Sequence, residues 1–414
     1  RLAQAFPVGR ELLGGEIAAE GGEKGFAVEA GVLLRAAAVA LAVAASPALA
    51  QDKVKVGFML PYTGTYAALG NAITNGFKLA IAEQGGKLGG RDIEYVTVDD
   101  ESDPAKAPEN VNKLIKRDRV DVIVGTVHSG VAMAMAKAAK DNNALLMIPN
   151  AGQDEITGPM CAPNIIRTSF TNSAPGYAMG KVAAERGHKT AVTITWKYAA
   201  GDQSVTGFKE SFEKAGGKVV KELTLPFPTV EFQPLLTEIA SLKPDAVYTF
   251  FAGGGAVKFV KDYDAAGLRK TIPLYGAGFL TDGTLPAQGA SAEGLLTTLH
   301  YADELDNPKN NAFRAAYRKA YNNVEPDVYA MQGYDTGQLL AAGARAVGGD
   351  MSKRDALIKA MQTAKIDSPR GPFSLSKANN PIQDYYLRRV EGGKNKAIGV
   401  AIKGFEDPAA GCKM

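Results

Sequence analysis

The chain contains one short segment whose residue types could support nucleophilic catalysis. His128, Ser129 and Gly130 follow a strand-like apolar run and open a helix-like run, the context of a hydrolase nucleophile. That turn requires glycine two residues before and two after the serine, but Val127 and Val131 occupy these positions. The pattern therefore disfavours a hydrolase. An exported hydrolase stays open as an alternative that turnover of a bound ligand would support.

Cofactor-dependent chemistry is equally poorly supported. Gly253, Gly254 and Gly255 lie between a strand and a helix, but the third glycine of a dinucleotide-binding loop would fall at Lys258. The sequence has no phosphate-binding Gly-x4-Gly-Lys-Ser/Thr and no His-Glu-x2-His. With only 3 His and 2 Cys, a zinc or cysteine-ligated centre is also disfavoured. We predict a protein that is not an enzyme and uses no cofactor or metal.

The elements around these loops alternate between apolar strands and amphipathic helices. The pattern predicts one α/β block over 54–148, a second over 190–299, a helical segment over 310–347 and two final strands. Short continuous apolar strands indicate parallel sheets covered on both faces. Ligands of such sheets bind beyond the carboxyl ends of the strands, where helix N-termini present free N–H groups. Ser129 fits this role, and also a simple helix N-cap.

The composition of the 414 residues adds the cellular context. The 47 Lys and Arg nearly balance 44 Asp and Glu, which disfavours a nucleic-acid partner. Residues 31–50 resemble a secretory signal cleaved before Gln51, because their apolar run is too short for a membrane anchor. We interpret residues 1–30 as an upstream extension and predict a soluble product outside the cytoplasm. There, Cys161 and Cys412 are expected to form a disulfide, with two unpaired buried thiols as the alternative.

Several motifs together resemble a known family. They are Val54-Lys55-Val56-Gly57, Pro61-Tyr62-Thr63-Gly64, Asp99-Asp100-Glu101-Ser102-Asp103-Pro104, Val122-Ile123-Val124-Gly125, Tyr263-Asp264-Ala265-Ala266-Gly267-Leu268 and Gly333-Tyr334-Asp335. Their order and spacing resemble the type I periplasmic binding proteins of branched-chain amino acid ABC importers. The resemblance covers residues 52–402. It implies an α/β fold with two Rossmann-like lobes, whose parallel sheets are joined by a three-strand hinge. It assigns 52–169 with 300–379 to lobe 1, 170–299 with 380–405 to lobe 2, and 406–414 to a C-terminal tail.

The resemblance also indicates which half of an amino-acid site is present. Ser129 and Ala151 match positions that hold the substrate carboxylate in this family. Gly152 replaces a Thr or Ser beside them, and Gly278 replaces the acidic residue that receives the ammonium group. Two aromatic positions of the family are replaced as well, by Leu69 and Ala200. A buried ammonium group without a counter-charge is costly, so we predict a carboxylate ligand that has no amine.

Aromatic residues near the loop ends suggest the remainder of the ligand. These are Tyr62, Tyr66, Trp196, Tyr198, Phe251 and Phe279, and together they favour an aromatic acid such as a benzoate or cinnamate derivative. His128 could add a hydrogen bond to the carboxylate or to a ring hydroxyl. The full set of predicted ligand-binding residues is Tyr66, Leu69, His128, Ser129, Asn150, Ala151, Gly152, Tyr198, Ala200, Phe251, Gly253, Gly278 and Phe279.

The resemblance implies a function in import. We predict a monomeric, periplasmic solute-binding protein that captures a small carboxylate by hinge closure and delivers it to inner-membrane ABC permease subunits. One alternative is an amino-acid-binding protein of the same fold, with Asp282 as the partner of the ammonium group. A second alternative, from another class, is a receptor domain that senses a ligand and signals.

Overall fold

The computed structural model describes residues 52–414. The predicted upstream extension, 1–30, and the predicted signal peptide, 31–50, lie outside the described residues. Within residues 52–414, no helix is both long enough and apolar enough to span a bilayer.

The first lobe is built on a five-stranded parallel sheet. Its strands run in the order β2-β1-β3-β4-β5, with β1 (Val54–Leu60), β2 (Ile93–Asp99), β3 (Val122–Val124), β4 (Leu145–Ile148) and β5 (Ile165–Arg167). Strands β3, β4 and β5 are buried throughout, as expected for parallel strands covered on both faces. The helices between these strands are α1 (Ala67–Glu83), α2 (Ala107–Asn112) and α3 (Ser129–Asp141), and a short α4 (Asp154–Thr157) follows β4.

The second lobe is built on an eight-stranded sheet. Its parallel part runs β7-β6-β8-β9-β10, with β6 (Thr190–Trp196), β7 (Lys218–Leu225), β8 (Ala246–Phe250), β9 (Leu274–Ala277) and β10 (Leu296–Leu299). Three antiparallel strands complete it, namely β11 (Phe373–Leu375), β12 (Pro381–Glu391) and β13 (Lys394–Phe405). Its helices are α5 (Ser173–Glu185), α6 (Ala199–Lys214), α7 (Gln233–Leu242), α8 (Gly253–Ala265) and α9 (Leu285–Gln288).

The late helical segment returns to the first lobe. It comprises α10 (Pro308–Ala320), α11 (Val328–Ala346) and α12 (Arg354–Thr363). Helix α11 packs along α1, and glycines make this close approach possible. A Cβ at Gly76 would lie 1.8 Å from the Ala330 carbonyl oxygen, and one at Gly333 would lie 2.0 Å from that of Ile73. The start of α11 also contacts the second lobe, where the Val328 amide donates to Asp282 Oδ1 at 3.2 Å.

A disulfide attaches the C-terminal tail to the first lobe. Cys161 and Cys412 are bonded, with their Cα atoms 5.5 Å apart. The predicted pairing is therefore confirmed. It closes a loop of 251 residues, and in the chain-entropy model such long loops give the largest stabilisation.

The two-lobed α/β fold is confirmed, and six strands and helices were not predicted from the sequence. These are α4, β5, α5, α9, α12 and β11. The edge of the second sheet also differs from an all-parallel arrangement, because β12 runs antiparallel to β10.

Candidate ligand-binding site

An enclosed cavity lies between the two lobes, beyond the carboxyl ends of the strands. Its volume is about 20 Å³, room for about one water molecule, so a ligand enters only when the side chains or the lobes around it move apart. Both lobes contribute walls, since β1, β3 and β4 are followed by lining residues, as are β6, β8 and β9. Seven of the predicted residues line it, namely Tyr66, Ser129, Asn150, Gly152, Tyr198, Ala200 and Phe279.

Six further residues line the cavity but were not predicted. They are Val127, Phe170, Asn172, Phe250, Ala252 and Tyr329. Phe170 and Asn172 follow the unpredicted β5, and Tyr329 belongs to the returning helix α11. The alternation of side chains along a strand could have distinguished Phe250 from its neighbour Phe251, because consecutive residues face opposite sides of a sheet.

Neutral hydrogen-bonding groups form one end of the cavity, here called the polar end (Ser129, Asn150, Gly152 and Asn172). The Asn172 amide donates to Ser129 Oγ at 3.1 Å and to Gln203 Oε1 at 2.9 Å. The Asn150 amide donates to Gln332 Oε1 at 2.8 Å. These bonds fix the orientation of each group before a ligand arrives. Glycine is required at 152, because a Cβ there would lie 2.5 Å from Asn172 Oδ1.

Five helices begin at this cavity. Ser129 is the first residue of α3, Asn172 and Ala252 are the N-caps of α5 and α8, and Ala200 and Tyr329 are second residues of α6 and α11. Each of these helices has 13 or more residues. The N-terminus of a helix carries a partial positive charge of roughly half a unit. Their convergence makes the potential in the cavity favourable for an anion.

No charged side chain is among the lining residues of this cavity within 52–414. Asp282, the alternative partner for an ammonium group, is fully buried elsewhere. Its Oδ2 accepts from Arg388 Nη1 at 2.6 Å and its Oδ1 accepts from the Val328 amide at 3.2 Å. Asp282 is thus paired with Arg388 and is not among the residues that line the cavity.

Aromatic rings form the rest of the wall. Phe279 packs against Phe170, Phe250 and Tyr329, with ring centroids 4.7, 5.9 and 5.9 Å apart. Tyr66 and Tyr198 hydrogen-bond through their hydroxyls at 2.8 Å, which joins the two lobes. Burial raises the pKa of both phenols well above the ordinary value, so they stay neutral. Flat rings around a small cavity suit a planar, apolar ligand body.

Two groups predicted to bind the ligand carboxylate form hydrogen bonds within the protein instead. The Ala151 amide donates to the Thr126 carbonyl at 2.9 Å, so it is not free for a ligand. His128 caps α3, its Nδ1 accepting from the Gly130 amide at 3.1 Å. Its ring stacks on Tyr198 at 4.9 Å, and burial lowers its pKa to about 4, which keeps it neutral. His128 thus caps α3 through Nδ1 and is not among the residues lining the cavity, and a ligand contact through its Nε2 stays a prediction.

The other four predicted residues do not line the cavity, and each contacts other parts of the protein. Leu69 is buried in the hydrophobic core. Phe251 packs against Trp196, Phe232 and Phe259. Gly253 begins α8 in the left-handed region, and a Cβ there would lie 2.3 Å from the Thr65 carbonyl oxygen. The Gly278 carbonyl accepts from Arg388, whose Nη2 would lie 2.5 Å from a Cβ at 278.

A group of carboxylates at the start of α11 predicts a pH-dependent stability. Asp327 is the N-cap of this helix, accepting from the Ala330 amide at 2.9 Å. Burial, opposed by that hydrogen bond and reinforced by Asp282 and Asp303, raises its pKa to about 7. A raised carboxyl pKa stabilises the fold at low pH, and this contribution is lost as the pH rises through about 7.

Asp327→Asn is therefore expected to become more stable relative to the wild type between pH 5 and pH 8, by up to about 2 kcal/mol. Asparagine keeps the N-cap but does not ionise. Urea unfolding at the two pH values measures the difference. The matched control is Asp355→Asn, which changes an exposed aspartate in the first turn of α12. The prediction would be contradicted if Asp327→Asn and the wild type differed in free energy of unfolding by the same amount at pH 5 and at pH 8.

Comparisons with known proteins agree with this geometry. A family model described as periplasmic binding protein matches residues 53–395. Leu/Ile/Val-binding protein homolog 6 of Brucella melitensis biotype 1 is 33% identical over 367 residues, which covers 87% of this chain and 92% of that protein.

Two solved structures are similar over nearly their whole length. One is a solute-binding protein of an ABC transporter from R. palustris in complex with benzoate, 56% identical, with a TM-score of 0.86, covering 88% of this chain and 100% of that chain. The other comes from Rhodopseudomonas palustris BisB5 in complex with 3,4-dihydroxybenzoic acid, 33% identical, with a TM-score of 0.81, covering 86% and 99%. The chain thus belongs to the periplasmic binding protein family, as its motifs predicted.

Proposed function

We propose that this protein is the solute-binding subunit of an ABC importer and binds a small aromatic carboxylate, of the benzoate type, in the cavity between its lobes. The observation that carries the proposal is an enclosed cavity with a neutral polar end, five helix N-termini and aromatic walls. An anion gains from the helix termini, and the aromatic side chains offer flat faces on which a planar ring packs once the lobes have opened to admit it. The benzoate and dihydroxybenzoate complexes of similar proteins support it.

Within the site, the proposed roles follow from the contacts. The ligand carboxylate binds at the polar end, to Ser129 and the start of α3, with Asn172 holding Ser129 in place. The ring lies against Phe279 and Tyr198, both of which line the cavity. The remaining lining residues complete the enclosure and exclude water, which strengthens each polar contact.

Ligand capture works through closure of two lobes, proposed as 52–169 with 300–379 and 170–299 with 380–405. Within 300–379, β11 departs from this division, because it pairs with β12 of the second sheet. A ligand favours closure only if it contacts both lobes, and this cavity has walls from both. Two hydrogen bonds join the lobes in this structure. One links the Tyr66 and Tyr198 hydroxyls, and in the other the Asp154 backbone N–H donates to Gln203 Oε1 at 3.1 Å. The closed form, as a monomer in the periplasm after removal of residues 1–50, delivers the ligand to the permease without chemical change.

An amino acid is the main competing ligand, because the curated relatives include Leu/Ile/Val-binding homologues. Its ammonium group would be buried in a cavity whose described lining carries no carboxylate. A buried charge without a partner costs several kcal/mol, enough to remove useful affinity. An aliphatic side chain would also have no ring to stack against Phe279 and Phe250.

The test is a thermal-shift screen of the purified protein against two panels, benzoate-type acids and aliphatic amino acids. A ligand at one hundred times its Kd should stabilise the protein by about 2.7 kcal/mol, which moves the melting temperature measurably. We expect shifts with aromatic acids and none with leucine or valine. Phenylalanine is the matched control, since it adds an ammonium group to an aromatic carboxylate. A shift with leucine or phenylalanine, and none with benzoate, would refute the proposal.

A further inference from the structure

Three tyrosine hydroxyls in the cavity have more hydrogen-bonding capacity than the protein uses. Tyr66, Tyr198 and Tyr329 all line the cavity. The first two share one hydrogen bond of 2.8 Å. Tyr329 is only 1% exposed, and its hydroxyl is buried without a hydrogen-bond partner among the described residues. Each phenol can donate one hydrogen and accept, so three hydroxyls form one bond where several are available.

A buried hydroxyl without a partner carries a free-energy cost, and such groups in folded proteins normally have a specific explanation. Packing alone does not supply one here, because phenylalanine would fill the same space without the cost. The Tyr329 ring is held by Phe279, with centroids 5.9 Å apart, and by its position as second residue of α11. Its hydroxyl is therefore held at the wall of a cavity whose occupant is the ligand.

The tyrosine hydroxyls are separate from the polar end. Asn172 joins Ser129 to Gln203, and Tyr66 joins Tyr198, but no hydrogen bond among the described residues connects the two groups. Burial, followed by the nearby charges of Asp282 and Asp327, raises the pKa of Tyr329 well above its ordinary value. Tyr329 therefore keeps its proton and can donate. The polar end already offers the contacts proposed for the ligand carboxylate, so a second, neutral polar group of the ligand suits the tyrosine end.

We propose that Tyr329 is a specificity-determining residue that hydrogen-bonds a hydroxyl on the ring of the ligand, so that the protein prefers a hydroxybenzoate to unsubstituted benzoate. This inference rests on the proposed function and narrows its ligand class. A ring hydroxyl both donates and accepts, so it matches Tyr329 and, beside it, the spare capacity of the Tyr66–Tyr198 pair. The benzoate ring would leave Tyr329 without a partner, and a site with an unpaired polar group rejects such an analogue.

The test is calorimetric titration of the wild type and Tyr329→Phe with benzoate, 3-hydroxybenzoate and 4-hydroxybenzoate. We expect one hydroxybenzoate to bind the wild type about tenfold more tightly than benzoate, the effect of one buried hydrogen bond. In Tyr329→Phe this ratio of the two affinities should fall to less than about twofold. The ligand-free variant should melt at the same temperature as the wild type or higher, because it loses an unpaired buried hydroxyl.

The matched control is Tyr263→Phe, which removes a buried hydroxyl bonded to the Ile272 carbonyl at 3.1 Å, away from the cavity. It should leave the ratio of the affinities unchanged. A second measurement needs no variant: the fluorobenzoate with fluorine at the preferred position should bind the wild type like benzoate, since fluorine bound to carbon is a poor hydrogen-bond acceptor and cannot donate.

Two outcomes would overturn the inference while leaving the proposed function intact. In the first, benzoate binds and neither hydroxybenzoate binds more tightly. In the second, the preference persists in Tyr329→Phe, as it would if only water or another residue met the ring hydroxyl. Failure of all three acids to bind the wild type would instead refute the proposed function.

Discussion

Ser129→Asp is expected to lower the affinity for an aromatic carboxylate by at least about 100-fold, or about 2.7 kcal/mol. Ser129 opens α3, lines the cavity and is 1% exposed. An aspartate there would place a negative charge beside the ligand carboxylate in a site with little water. Helix α3 itself tolerates the change, because an acidic residue in the first turn interacts favourably with the helix dipole. Calorimetric titration with benzoate measures the affinity.

The matched variant Ser129→Asn separates charge from size. Asparagine has the shape of aspartate but no charge, and we expect it to lower the affinity only about tenfold. The melting temperatures of both ligand-free variants show whether the fold is retained. Equal losses of affinity in the two variants would mean that the effect is steric. The carboxylate would then bind elsewhere than at the start of α3.

Much of the fold was predictable because its strands are short, apolar and separated by amphipathic helices. The two predicted α/β blocks, 54–148 and 190–299, begin where β1 and β6 begin and end where β4 and β10 end. Helix α5 was missed because its sequence contains Pro175, Gly176 and Gly180, which weaken helix propensity. The structure explains them. A Cβ at Gly176 would lie 2.0 Å from the Ser204 carbonyl oxygen, so close packing of α5 on α6 excludes larger residues.

The candidate site was predictable to the extent that it follows strands. Ser129, Asn150 and Tyr198 directly follow β3, β4 and β6, and the general geometry of parallel sheets places such residues at one edge. Tyr329 carries no such signal, because it comes from a helix distant in sequence that returns to the first lobe. The Ala151 amide was predicted to be free, since sequence does not reveal its bond to the Thr126 carbonyl. The sequence therefore did not predict the long-range contact that brings Tyr329 to the site or the backbone hydrogen bond of Ala151.

The second large effect is expected at the buried ion pair between Asp282 and Arg388. Both side chains are 0% exposed, and Oδ2 and Nη1 are 2.6 Å apart. Arg388 also donates to the carbonyls of Tyr301 and Gly278, each at 2.9 Å, so its position is fixed. Asp282→Leu leaves this guanidinium buried without its counter-charge. We expect a loss of about 3–5 kcal/mol in the free energy of unfolding, measured by urea denaturation.

The double variant Asp282→Leu with Arg388→Met tests the cause of that loss. Removing both charges relieves the uncompensated guanidinium, so the double variant should be more stable than Asp282→Leu alone, by about 1 kcal/mol or more. Asp141→Ala, which breaks the exposed pair of Asp141 with Lys137, is the control and should cost less than about 0.5 kcal/mol. A double variant less stable than the single one would contradict this account.

If Asp282 instead held a ligand amine, Asp282→Leu would abolish binding of an amino acid that the wild type binds. We expect the wild type to bind no amino acid, because Asp282 is paired with Arg388 and does not line the cavity.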